Sequence, residues 1–132
     1  RRQDLAQHLT ATASITSSAG ADFASMVSTT KEAYDARYRT GFSFSDLAAN
    51  TVGVKLASIG TANQDSASKL QIRLAQLKDE SEYMPLFGSN RDGLSETDFT
   101  DLYIDRNSDE YMLRVQEIES LVNAASVFKD LQ

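Results

Sequence analysis

The side chains of this chain that could carry out acid–base chemistry are one imidazole and several carboxylates. His8 is the only histidine, and Glu32, Asp35 and Asp46 lie in the first half of the chain. An imidazole close to carboxylates can act as a general base, or can bind a metal ion together with them. These four residues are therefore candidates for the catalytic groups of a hydrolase that is metal-assisted or uses general acid/base chemistry.

No familiar catalytic or metal-binding motif accompanies these side chains. The chain has no cysteine, which excludes disulfides, thiol nucleophiles and thiolate metal sites. Asp105, Asn107 and Asp109 alternate as the oxygen ligands of a calcium loop do, but Glu110 stands where an EF-hand requires glycine. Zinc-protease, nucleophile-elbow, Walker and dinucleotide motifs are also missing. The sequence thus predicts no cofactor and no dedicated metal site.

Residues 45–59 indicate how the carboxylate of Asp46 is positioned. Read as a helix at about 100° per residue, they place Asp46, Asn50, Gly53 and Ala57 on one narrow stripe. Lys55 lies on the opposite side, which we expect to face water because lysine is rarely fully buried. Gly53 and Ala57 would let another backbone approach closely. Asp46 and Asn50 would then lie in a confined space, where polar groups need partners.

The other candidate residues have structural explanations that compete with chemical ones. His8 shares the apolar face of the first predicted helix, and Asp4 is its i,i+4 neighbour and could fix the imidazole tautomer. A half-buried core histidine beside an exposed aspartate explains the same pattern equally well. Glu32 and Asp35 lie opposite the large apolar residues of the second predicted helix. Periodicity alone therefore places them on a solvated edge.

The whole chain has the composition and periodicity of an all-α fold. One proline and six glycines in 132 residues favour helices over a sandwich with many turns. Ser43 and Asp46 resemble a capping box, which gives Asp46 a structural role at a helix start. We expect one compact domain, residues 1–132, with five or six helices, in which the C-terminal helix closes a unit formed by the first three. The predicted segments are helices over about 3–18, 21–39, 45–59, 64–79 and 108–131, a short helix after Ser95, an ordered loop over 81–94, and C-terminal helices within 95–132.

Charge and hydropathy narrow the range of partners. The formal net charge is −6, and the lysines and arginines are scattered, so we expect no nucleic-acid surface and no binding to an anionic membrane. No apolar run reaches the roughly 18 residues that suggest a membrane span. The chain opens at Arg1-Arg2 without a starting methionine. We therefore expect a processed or trimmed chain whose signal segment, if it had one, has been removed.

Three short motifs lie within residues 4–57: Asp4-x-x-Gln7-His8-Leu9, Lys31-Glu32-x-x-Asp35, and Gly41-Phe42-Ser43-Phe44-Ser45-Asp46-Leu47-x-x-Asn50-x-x-Gly53. Together they resemble the pattern of the YfiM-type envelope lipoprotein family and, more distantly, of the VanZ-like family. The tail over 81–123 is not part of the resemblance. Residues 10–30 are also rich in Ser, Thr and Ala, whereas family members tend to be apolar and membrane-associated there. The resemblance implies an exported protein, periplasmic or in the cell envelope.

The resemblance also implies that Glu32 and Asp35 turn inward toward His8 and Asp46, with Lys31 as a counter-charge. The predicted polar cluster between the first three helices consists of Asp4, His8, Lys31, Glu32, Asp35, Asp46 and Asn50. Our leading hypothesis is a non-enzymatic envelope protein with a binding or structural role and an unidentified ligand. The alternative is the hydrolase, and a third hypothesis is that an aromatic loop over 83–87 docks a protein partner in the envelope.

Overall fold

The computed structural model describes residues 2–21, 43–85 and 108–131. Within these ranges the chain forms α-helices and short 3-10 turns and no β-strand, which confirms the predicted all-α fold. The elements are α1 (Arg2–Ala19), α2 (Phe44–Ala62), α3 (Gln64–Gln76), a 3-10 turn (Glu80–Glu82), α4 (Asp109–Asn123) and a second 3-10 turn (Ser126–Phe128). The helices predicted over 21–39 and after Ser95, and the loop beyond Pro85, lie outside the described residues. None of the described helices is both long and apolar enough to cross a membrane.

Helix α2 is the element against which α1, α3 and α4 all pack. It begins after Ser43, whose backbone is extended and whose hydroxyl accepts the Asp46 N–H at 3.1 Å. This bond satisfies one of the backbone N–H groups that the first turn of a helix leaves without a backbone partner. The negative charge of Asp46 in the first turn also interacts favourably with the positive end of the helix dipole. Its small residues Ala48 and Ala49 are fully buried, so neighbouring helices approach closely.

A single residue joins α2 to α3. Asn63 has extended backbone angles (φ −166°, ψ 170°), ends α2, and accepts the Ser66 N–H at 2.8 Å to begin α3. The joint is short because one asparagine both breaks the first helix and caps the second. Helix α3 then contributes Leu70 to the core, while Leu74 on the same stripe is 43% exposed.

The apolar core lies between α2, α4 and the C-terminal 3-10 turn. The rings of Phe44 and Tyr111 lie 6.2 Å apart, and Val52, Val122 and Phe128 are fully buried around them. Other buried apolar residues complete this core: Ala48, Ala49, Leu70, Met84, Ile118, Ala125 and Val127. A hydrogen bond from Arg73 Nη1 to the Ser126 carbonyl oxygen (2.8 Å) ties the turn to α3.

The expectation that the Lys55 side of α2 faces water holds only in part, because Lys55 is half-buried and its amine contacts α4 and the C-terminal turn. The Lys55 amine lies 4.8 Å from the centre of the Phe128 ring and donates a hydrogen bond to Asn123 Oδ1. The aliphatic part of the Lys55 side chain can therefore cover the core, while the ammonium group interacts with the Phe128 ring and the Asn123 amide oxygen. Burial lowers the pKa of this amine from its ordinary value of 10.5.

Two helices also end earlier than predicted. The last helix was expected to reach residue 131, but it ends at Asn123, and the extended backbone of Ala125 starts the 3-10 turn. The turn buries the apolar side chains of Val127 and Phe128, and removing this apolar surface from water stabilises the fold. Helix α3 was expected to reach residue 79 but ends at Gln76, because Asp79 and Glu82 form a capping box for the first 3-10 turn.

Candidate functional site

The candidate site lies where α1 crosses α2, and the contact between these helices is unusually close. A Cβ atom built on Gly53 would lie well inside the contact distance of the Leu9 carbonyl oxygen and 3.2 Å from the Ala13 backbone nitrogen. The missing side chain at Gly53 therefore lets the backbone of α1 rest directly on α2, as the stripe of small residues predicts. The first helix ends at Ala19 and is followed by Gly20, whose positive φ of 94° is easiest for glycine.

The close approach brings one imidazole, one carboxylate and one amide together. His8 Nδ1 lies 3.1 Å from Asn50 Oδ1, and His8 Nε2 lies 3.5 Å from Asp46 Oδ2. All three residues are buried, with 6% of His8, 7% of Asp46 and 4% of Asn50 exposed. Both ring nitrogens of His8 thus face polar atoms of α2. The contact with Asp46 is an ion pair when the imidazole carries both protons.

Thr12 is a fourth member of this group, which we call the His8 cluster: His8, Thr12, Asp46 and Asn50. Its hydroxyl lies 3.0 Å from Asn50 Oδ1 and 2.7 Å from the carbonyl oxygen of His8. Thr12 is absent from the polar candidates of the sequence, because its helical spacing places it on the same face of α1 as the apolar residues Leu5 and Leu9. The available signal was its position one turn after His8, because residues four apart share a helix face.

The geometry of the His8 cluster limits where its protons lie. The Thr12 hydroxyl has one proton, and it forms its shorter contact with the backbone oxygen of His8. In this arrangement Asn50 Nδ2 is a buried donor without a hydrogen-bond partner. Turning the amide over would let Nδ2 donate to both Thr12 Oγ1 and His8 Nδ1. A neutral His8 would then keep its proton on Nε2 and direct it at Asp46.

The residues of the His8 cluster are buried, since each is less than a tenth exposed. A general base must reach the proton that it removes, either directly or through one water molecule. A groove of about 450 Å³ lies beside α1, but the residues that line it include none of the four cluster members. Within the described ranges, no three His, Asp or Glu side chains are grouped as metal ligands. The arrangement can orient two helices, and the described residues that line this groove give no access to the imidazole.

The structure brings together three residues of the predicted polar cluster: His8, Asp46 and Asn50. The predictions for the other members fall on Lys31, Glu32, Asp35 and the side chain of Asp4, which lie outside the described residues. The inward orientation expected for Glu32 and Asp35 therefore stays a prediction.

No family model, curated protein or solved structure matches this chain. The resemblance to the YfiM-type and VanZ-like families thus stays a prediction that depends on the three short motifs.

Proposed function

We propose that this chain is a non-catalytic envelope protein with a binding or structural role, in which the His8 cluster holds α1 in place on α2. The observation that carries the proposal is the burial of His8 and Asp46 on both sides of their contact, since each is less than a tenth exposed. The envelope location is inferred from the motif resemblance over residues 4–57. The same side chains in an open cleft would favour the hydrolase instead.

A buried polar cluster is well suited to fixing the alignment of two helices. Moving α1 along α2 by one helical turn, about 5.4 Å, would separate both nitrogens of His8 from their partners. It would also carry the Leu9 carbonyl away from Gly53, the position where α2 has room for it. Leaving buried polar groups unpaired costs about 1–3 kcal/mol each. The cluster therefore penalises other alignments of the helices.

The first test replaces His8 and Asp46 by alanine, separately and together, and measures the free energy of unfolding in urea. Each single change should lower that free energy by about 1–3 kcal/mol, because it removes one of the polar partners of the other buried group. The double variant should lose less than the sum of the two, since the residues are in contact. Catalytic groups are often held at a cost to stability, so unchanged or increased stability would contradict the structural role.

A matched pair of threonines tests whether the contact between the helices matters. Thr12 and Thr16 are both buried on α1, and each donates to the carbonyl oxygen four residues earlier. Thr12 in addition contacts Asn50 across the helix interface. We expect Thr12→Val to lower the free energy of unfolding by about 1 kcal/mol more than Thr16→Val. Equal losses would show that the Asn50 contact contributes nothing.

The envelope location has a separate test. The natural gene would be expressed with a C-terminal tag, and the cells would be separated into cytoplasmic, periplasmic and membrane fractions. The proposal expects the protein in the periplasmic or membrane fraction. Recovery in the cytoplasm alone would contradict the location and leave the role of the His8 cluster to the unfolding measurements.

A further inference from the structure

A second feature, separate from the His8 cluster, is the bend between α4 and the C-terminal 3-10 turn. Helix α4 ends at Asn123, and the backbone of Ala125 is extended (φ −62°, ψ 139°) before the turn begins at Ser126. Residues 108–131 contain neither glycine nor proline. Ala124 and Ala125 at the bend are of the type with the highest helix propensity. The local sequence therefore favours a helix that continues past residue 123.

Contacts with other elements hold the bend in place. Val127 and Phe128 are 0% and 1% exposed in the core. Arg73 Nη1 donates to the Ser126 carbonyl oxygen at 2.8 Å, and the Lys55 amine lies 4.8 Å from the centre of the Phe128 ring. In a continuous helix the carbonyl oxygen of residue 126 would instead accept the N–H of residue 130. The bent arrangement thus depends on tertiary contacts and the straight one on local hydrogen bonds.

A continuous helix would carry the apolar side chains of the turn out of the core. Phe128 follows Leu121 by seven residues, which places the two about 20° apart around a helix. Leu121 is 37% exposed, so Phe128 would lie on a stripe that partly faces solvent. Straightening α4 therefore exchanges the burial of Phe128 for additional helical hydrogen bonds.

The backbone after the turn adds a cost to the bent arrangement. Asp130 has a φ of 61°, in the left-handed region that residues other than glycine seldom adopt. In a continuous helix this residue would take ordinary helical angles. Aspartate at this position therefore favours the straight arrangement more than glycine would.

We propose that residues 124–131 act as a latch, which is bent in the structure and opens when α4 continues as one straight helix. Opening moves Val127 and Phe128 to the surface and uncovers the apolar site that the turn occupies beside Lys55 and α3. The latch shares no residue with the His8 cluster and does not depend on the role proposed for that cluster. It lets the fold expose apolar surface while α1, α2 and α3 stay packed.

Thiol labelling tests the latch, because the chain has no cysteine of its own. Val127→Cys and Val122→Cys are a matched pair, since both valines are 0% exposed and only Val127 lies beyond the bend. In the folded protein, Val127→Cys should react with dithiobis(nitrobenzoate) at least about tenfold faster, because local opening costs less free energy than global unfolding. Its rate should also depend less on urea, since less surface is exposed. Equal rates with equal urea dependence would overturn the proposal.

A proline variant separates a straightening helix from a fraying turn. Ser126→Pro fits the bent arrangement, because residue 126 is the first of the turn and the backbone before it is extended. Proline there is incompatible with a continuous helix, since it lacks the N–H and clashes with the carbonyl four residues earlier. It should slow the labelling of Val127→Cys at least about tenfold. Ser126→Ala, which removes only the hydroxyl, should not slow it. Labelling that proline leaves unchanged would indicate fraying and overturn the proposal.

Substitutions at residue 130 should shift the latch in opposite directions. Asp130→Gly should slow the labelling of Val127→Cys about two- to fivefold and Asp130→Ala should accelerate it, because glycine adopts positive φ easily and alanine favours helix. Shifts in the same direction would contradict the proposal. If circular dichroism shows that a cysteine variant is unfolded, amide hydrogen exchange of residues 124–131 replaces the labelling. Exchange should be faster in the wild type than in Ser126→Pro, and equal exchange would overturn the proposal.

Discussion

The two sides of α2 hold the fold together by different means. Toward α1, the contact consists of Gly53 beneath a backbone carbonyl and the hydrogen-bonded His8 cluster. Toward α4 and the C-terminal turn, it consists of Phe44 against Tyr111, with Val122 and Phe128 fully buried. Apolar burial contributes roughly in proportion to area and does not depend on direction, whereas hydrogen bonds require one geometry. The α4 side therefore tolerates small shifts between the helices, whereas the α1 side requires one alignment.

The largest expected effect lies on the apolar side. Phe128 is 1% exposed, and Phe128→Ala should lower the free energy of unfolding by about 3–5 kcal/mol through lost burial and the cavity left behind. Urea denaturation followed by circular dichroism measures this. Leu113 of α4 is 61% exposed, and Leu113→Ala is the control, expected to stay within about 0.5 kcal/mol of the wild type. Similar losses of unfolding free energy in the two variants would contradict the assignment of Phe128 to the core.

The next effect lies at the crossing of α1 and α2. Gly53→Ala forces a methyl group against the Leu9 carbonyl, which cannot move without shifting α1, and should cost about 2–3 kcal/mol. Gly60 lies in the same helix, and among the described residues a methyl group there would meet only Leu70 Cδ2, at 3.6 Å. Gly60→Ala should therefore raise stability by up to about 1 kcal/mol through helix propensity. Thermal unfolding of the pair tests the comparison, and a Gly53→Ala protein as stable as Gly60→Ala would refute the close contact.

The smallest expected effect concerns Lys55. Burial lowers the pKa of its amine in the folded protein below the ordinary 10.5, so the unfolded chain binds this proton more strongly. The resulting destabilisation is fully present below the folded-state pKa and disappears as the pH rises to 10.5. The stability of the wild type relative to Lys55→Met should thus increase between pH 8 and pH 10.5, as measured by urea unfolding at each pH. A constant or falling difference would contradict this.

The sequence predicted the α1 side of α2 well, because its features follow from helical spacing. Asp46, Asn50 and Gly53 repeat on one stripe, and small residues on a stripe predict a close backbone contact. Their joining to His8 was predicted from the family resemblance, and it agrees with the need of buried polar groups for partners. Thr12 was missed because a threonine on an apolar stripe resembles any other half-buried residue. Its hydroxyl is accommodated by the backbone carbonyl of His8, a bond that the sequence pattern does not reveal.

The α4 side was predicted less well, since it depends on tertiary packing rather than local pattern. Lys55 was assigned to solvent by its charge, but the ring of Phe128 and the amide of Asn123 come from a segment 68 or more residues away in the sequence. The end of α4 was missed for the same reason. No glycine or proline marks it, and the turn forms because Val127 and Phe128 are buried against other elements.

The one-residue joint at Asn63 has a consequence for the order in which the chain folds. Helices α2 and α3 are joined by one residue, so their contact closes almost no loop. The contact of His8 with Asn50 closes a loop of 42 residues, and that of Arg73 with Ser126 closes a loop of 53. Closing a longer loop costs more chain entropy, and contacts between sequence neighbours form faster. The α2–α3 hairpin is therefore the natural nucleus, and the two ends of the chain add to it from opposite directions.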